Sequence, residues 1–209
     1  MPNMLPSLNQ ILFMLPILLV ALPVHEFAHA WTANQLGDDT PRLAGRLTLN
    51  PLSHLDVIGS FLLLFGGFGW AKPVPINPYA LQRRTPAGVM IVAAAGPLSN
   101  VALSLLVSIP FRLGLVSASS SILVPLLEFF ILINLVLFFF NLIPIFPLDG
   151  EKVLTFFLPP AGQAFLAQIR PYGPILLAAL VILSYRSGLN ILEIVVHGPA
   201  LAISSFLVS

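Results

Sequence analysis

The stretch ILFMLPILLVALPVHEFAHAW, Ile11 to Trp31, is apolar along most of its length and then carries His25, Glu26 and His29 near its end. About 20 largely apolar residues suffice for a helix to cross a bilayer. An ionisable side chain facing lipid at the centre of such a helix costs about 3 kcal/mol or more, so residues of this kind inside a span are turned toward protein and used there. The rest of the chain agrees: 57% of its 209 residues are apolar and 8% are charged, against roughly 25% charged in soluble domains. Mean hydropathy is +0.98. The sequence therefore predicts an all-α polytopic membrane protein.

His25-Glu26-Phe27-Ala28-His29 has the HExxH pattern. On a helix, residues four apart share one face about 6 Å from each other, so both imidazoles reach one metal ion while Glu26 lies beside an open coordination position. With four His and four Glu in the chain, chance would produce this pattern roughly 0.0015 times. Cysteine is absent, which removes thiolate ligands, thiol nucleophiles and disulfides and leaves His, Asp or Glu to complete a zinc site. A net charge of +1 and nine scattered Lys and Arg argue against a nucleic-acid partner.

Four stretches are long enough to span: Leu8 to Ala33, Ala87 to Phe111, Ile122 to Ile143, and Leu189 to Leu207. Pro174 to Tyr185 is a borderline fifth, able to cross if Arg170, Tyr172 and Arg186 sit at the interfaces. Val57 to Trp70 is apolar but short and interrupted by glycines, which reads as a re-entrant hairpin. With the hairpin entering and leaving on one side, Arg42, Arg46, Lys72, Arg83, Arg84, Lys152 and Arg170 fall inside and only Arg112 and Arg186 outside. The expectation is about five transmembrane helices plus the hairpin, with at most short β elements, in one domain covering residues 1–209. The first segment has no basic residue before it and is read as retained rather than as a cleaved signal peptide.

A catalytic zinc site needs three protein ligands, and HExxH supplies two. Asp149 is the strongest candidate for the third. It follows a second long apolar segment whose end, Asn141-Leu142-Ile143-Pro144-Ile145-Phe146-Pro147-Leu148-Asp149-Gly150, contains prolines and a glycine that break the helix and turn the carboxylate inward.

Together with this segment and HExxH, three more motifs follow in order: Gly45 to Asp56 (GRLTLNPLSHLD), Gly69 to Pro75 (GWAKPVP) and Gly96 to Asn100 (GPLSN). In these the chain resembles the site-2 protease family of intramembrane zinc metalloproteases, in its compact branch without an inserted peptide-binding domain. It departs at Val57, where relatives commonly have proline. The resemblance implies one zinc ion per chain with His25, His29 and Asp149 as ligands, Glu26 as general base, and membrane-spanning segments of other proteins as substrates. It places the protein, as a multi-pass component, in a cell membrane or an organellar membrane.

Other polar residues carry two readings each. Asn100 is an oxyanion or substrate-binding candidate, or an amide joining helices beside Gly96 and Ser99. Asn134 and Asn141 share a helical face and line a water path or bond between helices, and Asn141 is in addition a substrate-binding or oxyanion candidate. His54 contacts substrate or serves a loop turn. Lys72 opens an extended proline-rich strip, residues 72–78, suited to pairing with an unwound substrate. A polytopic metal-ion transporter using the same His and Asp ligands is the competing function; it has no use for Glu26 as a proton shuttle. Oligomeric state is open at this level.

Overall fold

A computed structural model describes residues 8–66, 69–116, 122–186 and 190–209, without the side chains of residues 8–10, 66, 185 and 186. The chain begins with α1 (Leu8–Pro16), which continues through a widened turn, Ile17–Ala21, into α2 (Leu22–Gln35). Pro16 and Pro23 lack the N–H that an α-helix requires, and the wider turn between them absorbs the mismatch, with Leu22 N–H donating to the Ile17 carbonyl. A short α3 (Thr40–Leu43), α4 (Val57–Gly66) and α5 (Pro78–Arg84) precede the long α6 (Gly88–Arg112) and α7 (Leu123–Asn141). Then come α8 (Asp149–Phe157), α9 (Pro160–Ile169), α10 (Gly173–Arg186) and α11 (Gly198–Val208).

Four helical runs are long and apolar enough to cross a membrane: Ile11–Gln35, Gly88–Arg112, Leu123–Asn141 and Pro160–Ser184. The all-α polytopic fold is the one expected, and among the described residues the β content is a single bridge, Leu55 to Ala71. The last two membrane segments differ from expectation. The borderline stretch at 174–185 belongs to a run of 25 residues that starts at Pro160 and is interrupted only by a tight turn at Arg170–Tyr172. Gln163, Gln168 and Arg170 hid its length from a hydropathy reading. Conversely, the expected span Leu189 to Leu207 is a shorter apolar helix, Glu193–Val208. Leu189 lies outside the described residues. Asn190 has φ +44°, a left-handed conformation that cannot continue a helix, and Glu193 pairs with His197 at 3.5 Å to make a polar beginning.

α6 is the central element and packs on α2, α7 and α8. Lipid tails are as apolar as leucine, so helix association here rests on close packing and on hydrogen bonds between helices. Ile131 and Leu135 of α7 meet Ala200 and Leu207 of α11, while Phe130 meets Ile17 and Ala21 of the first helix. The Ser104 hydroxyl on α6 bonds the Ile131 carbonyl across to α7 at 3.1 Å.

Residues 57–70 leave and return at one place. The described part consists of α4 and the returning Gly69 and Trp70; residues 67 and 68 lie outside it. Lys72 N–H donates to the His54 carbonyl at 2.7 Å beside the Leu55–Ala71 bridge, and Gly69 lies so close to Gly59 that a Cβ there would stand 2.1 Å from the Gly59 carbonyl oxygen. The flanks are tied as well: Asp38 accepts from Asn77 N–H at 2.6 Å, and the Arg46 guanidinium donates to the Lys72 and Pro73 carbonyls at 3.0 and 3.2 Å. Both flanks therefore share one membrane face. With no native cysteine to interfere, single Leu43→Cys and Tyr79→Cys variants, at positions 83% and 80% exposed, are expected to react with an impermeant thiol reagent from the same side. Reaction from opposite sides would rule out the hairpin.

Candidate metal centre

His25 and His29 lie one turn apart on α2 with their Nε2 atoms 3.1 Å apart. Asp149, the first residue of α8, brings Oδ2 to 3.3 Å from His25 Nε2 and 3.1 Å from His29 Nε2. All three side chains are buried. Asp149 reaches them because Leu148 is extended before the helix begins, and because Gly150 has no side chain where α8 folds back on the Leu142 and Ile143 carbonyls.

The other ring nitrogen of each histidine is committed. His25 Nδ1 lies 2.6 Å from Asn100 Oδ1, and His29 Nδ1 lies 2.7 Å from the Val92 carbonyl. Both acceptors are oxygens, so each Nδ1 carries the proton and each Nε2 presents a bare lone pair. With the Nδ1 protons so placed, the two Nε2 lone pairs and an Asp149 carboxylate oxygen converge, a group that could hold a metal ion.

The donor set fits zinc. Tetrahedral coordination with bonds of roughly 2.0–2.1 Å separates ligand atoms by about 3.3 Å, close to the observed 3.1 to 3.3 Å. Room for the ion is kept by Gly96 of α6, where a Cβ would lie 2.3 Å from His29 Nε2 and 2.6 Å from His25 Nε2. Lys152 Nζ approaches the second Asp149 oxygen, Oδ1, at 3.4 Å, which leaves Oδ2 directed at the histidines. Glu26 is buried next to this group and close enough to interact electrostatically with His29.

The structure brings together His25, Glu26, His29 and Asp149, and it brings Asn100 to them in a role other than the oxyanion one. Asn100 is fully buried, with Oδ1 on His25 and Nδ2 donating to Asn134 Oδ1 at 2.8 Å. Its side chain is spent on orienting His25. Asn141 donates to the Leu137 carbonyl of its own helix at 2.9 Å. His54 is fully buried with Nε2 donating to the Thr48 carbonyl at 2.7 Å, so it braces the loop before α4. The Lys72 side chain is exposed, while its backbone pairs with His54 and Arg46. Sequence reasoning missed Gly96 as part of the metal cradle, although the glycine stands in GPLSN four residues before Asn100. It also missed Lys152, whose three-residue spacing from Asp149 on a helix was the available signal.

Residues 107–182, which include Asp149, match the model of peptidase family M50. The chain is 40% identical over 171 residues to YwhC of Bacillus subtilis, a protein named as a zinc metalloprotease; the match covers 79% of this chain and 78% of that protein. The chain belongs to peptidase family M50. Two Rip2 proteins carry the same kind of name: that of Mycolicibacterium smegmatis is 31% identical over 174 residues, and that of Mycobacterium tuberculosis H37Rv is 32% identical over 176. These matches cover 78% and 81% of this chain but 64% and 66% of the Rip2 proteins, so the chain spans a little under two-thirds of their length. No solved structure matches. This M50 peptidase is a multi-pass, zinc-dependent intramembrane protease, and its His25, His29 and Asp149 form a group that could hold a metal ion. Nothing favours the transporter reading.

Proposed function

We propose that His25, His29 and Asp149 hold one zinc ion per chain, that Glu26 is the general base, and that residues 1–209 act as one domain on membrane-spanning segments of other proteins in the cell membrane. The observation that carries this reading is the triangle of three acceptor atoms, 3.1 to 3.3 Å on a side, at the end of an apolar span and next to the Glu26 carboxylate.

Zinc bound there supplies a Lewis acid that acidifies water and polarises a peptide carbonyl. Glu26 accepts the proton of the attacking water as the new C–O bond forms, then delivers it to the nitrogen as the C–N bond breaks, leaving a carboxylate and an amine. His25 and His29 keep their Nε2 lone pairs toward the ion because Asn100 and Val92 hold their Nδ1 protons. Asp149 offsets positive charge that two neutral imidazoles leave uncompensated. The basic residues tied to the hairpin flanks, Arg42, Arg46, Lys72, Arg83 and Arg84, orient that face toward the cytoplasm.

The test is hydrolysis by purified, reconstituted protein of a panel of membrane segments, followed by mass spectrometry with and without a zinc chelator. Alanine at His25, His29 or Asp149 is expected to lower bound zinc below one per chain and to abolish cleavage together. Full zinc in Asp149→Ala would remove that residue from the ligand set.

A further inference from the structure

We propose that Asn134, which touches neither histidine, is a positioning residue that fixes the tautomer of His25 through Asn100 and so determines how strongly the centre binds zinc. The inference rests on the reading of His25 as a ligand.

The argument starts from a backbone carbonyl on α7. Asn134 Nδ2 donates to the Phe130 carbonyl at 2.8 Å. A carbonyl only accepts, so the Asn134 amide has one orientation there, with NH2 toward Phe130 and Oδ1 toward α6. That oxygen in turn only accepts, and it receives Asn100 Nδ2 at 2.8 Å. Asn100 must therefore present Oδ1 to His25 Nδ1, at 2.6 Å. His25 Nδ1 must carry the proton, and Nε2 is left as the lone pair facing His29 and Asp149. Each step is forced by the one before it.

Reversing the Asn100 amide alone would set two carbonyl-type oxygens against each other. Reversing both amides would set Asn134 Oδ1 against the Phe130 carbonyl. Asn100 and Asn134 are both fully buried, so solvent does not relieve either clash. His29 reaches the same tautomer by a shorter route, donating directly to the Val92 carbonyl. With an apolar side chain at 134 the clash disappears. The Asn100 amide is then free to turn its NH2 to His25, which moves the imidazole proton to Nε2 and blocks the metal.

The test compares Asn134→Leu with Asn134→Asp, whose carboxyl offers an oxygen to the Asn100 amide in either protonation state. Ser104→Ala is the packing control, because its hydroxyl contacts only backbone carbonyls, that of Ile131 across the same two helices and that of Asn100 on its own, and leaves the Asn100 amide untouched. Two readouts are taken in detergent: zinc affinity by competition with a chromophoric chelator, and the side-chain 15N shifts of His25 in metal-free protein, assigned against His25→Ala. Asn134→Leu is expected to lose about tenfold or more in zinc affinity and to show an Nε2–H population at His25. Asn134→Asp and Ser104→Ala should keep the parent affinity and a single Nδ1–H form. If Asn134→Leu does not assemble, Asn134→Ala carries the same expectation. Parent affinity with one tautomer in the apolar variant, or an equal loss in Asn134→Asp, overturns the relay. Zinc held at parent affinity by His25→Ala would instead remove the ligand reading, and the relay with it.

Discussion

Glu26→Gln is expected to lower peptide hydrolysis by roughly 10³-fold, within the range that a positioned general acid–base contributes, while one zinc per chain is retained. The substitution keeps shape and removes only the ability to take a proton. The ligand atoms belong to other residues, and the second nitrogens of His25 and His29 are held by Asn100 and Val92, so nothing that binds the ion depends on the Glu26 charge. Initial rates on a reconstituted membrane-segment substrate, taken alongside elemental analysis for zinc, separate the two effects. Near-parent hydrolysis would exclude Glu26 as the base. Loss of zinc along with activity would place its carboxylate among the groups that hold the ion.

Gly96→Ala is expected to abolish stoichiometric zinc binding, and cleavage with it, although Gly96 supplies no ligand atom. The added Cβ would stand 2.3 Å from His29 Nε2, 2.5 Å from His29 Cε1 and 2.6 Å from His25 Nε2. Ordinary contact needs about 1 Å more, whereas a zinc site tolerates errors of only about 0.2 Å in its ligand distances. Both rings would have to swing away from Asp149, and their Nδ1 bonds to Asn100 and Val92 resist that movement. Helix stability moves the other way, because alanine inside a helix is favoured over glycine by about 1 kcal/mol. The variant should therefore stay helical by circular dichroism while zinc content falls far below one per chain. A Gly96→Ala protein that binds zinc at parent affinity would show that the rings have room to retreat, and the cradle would be wrong.

HExxH and the apolar run before it were sufficient for the membrane class and for bringing two imidazoles together, because helical spacing is a local property: residues four apart share a face wherever the helix goes. Asp149 was legible for a related reason, as a carboxylate at a proline-broken helix end has to face protein or water. The re-entrant segment was legible from its length and from the charges flanking it. The relative lengths of the last two membrane segments were not legible, since hydropathy penalises Gln163, Gln168 and Arg170 without seeing that Arg170 lies beside Glu151, at 3.9 Å, and over the Phe146 ring, at 4.9 Å from its centre.

The roles of the asparagines and of Gly96 were decided only in three dimensions. Asn100, Asn134 and Asn141 are chemically identical, and for each the sequence leaves a functional and a helix-joining reading open. The first two meet across the α6–α7 contact and reach His25, whereas Asn141 folds back on its own helix. Which of these happens depends on the rotation of one helix against another, and that rotation is set by packing along the whole contact. Gly96 is no different: from sequence it is a small residue suited to close helix contact, and only the packing of α6 on α2 sets it against the His25 and His29 rings. Local chemistry thus singled out His25 and His29 by their helical spacing and Asp149 by its broken helix end, while long-range packing chose the residues that orient them and the space that they enclose.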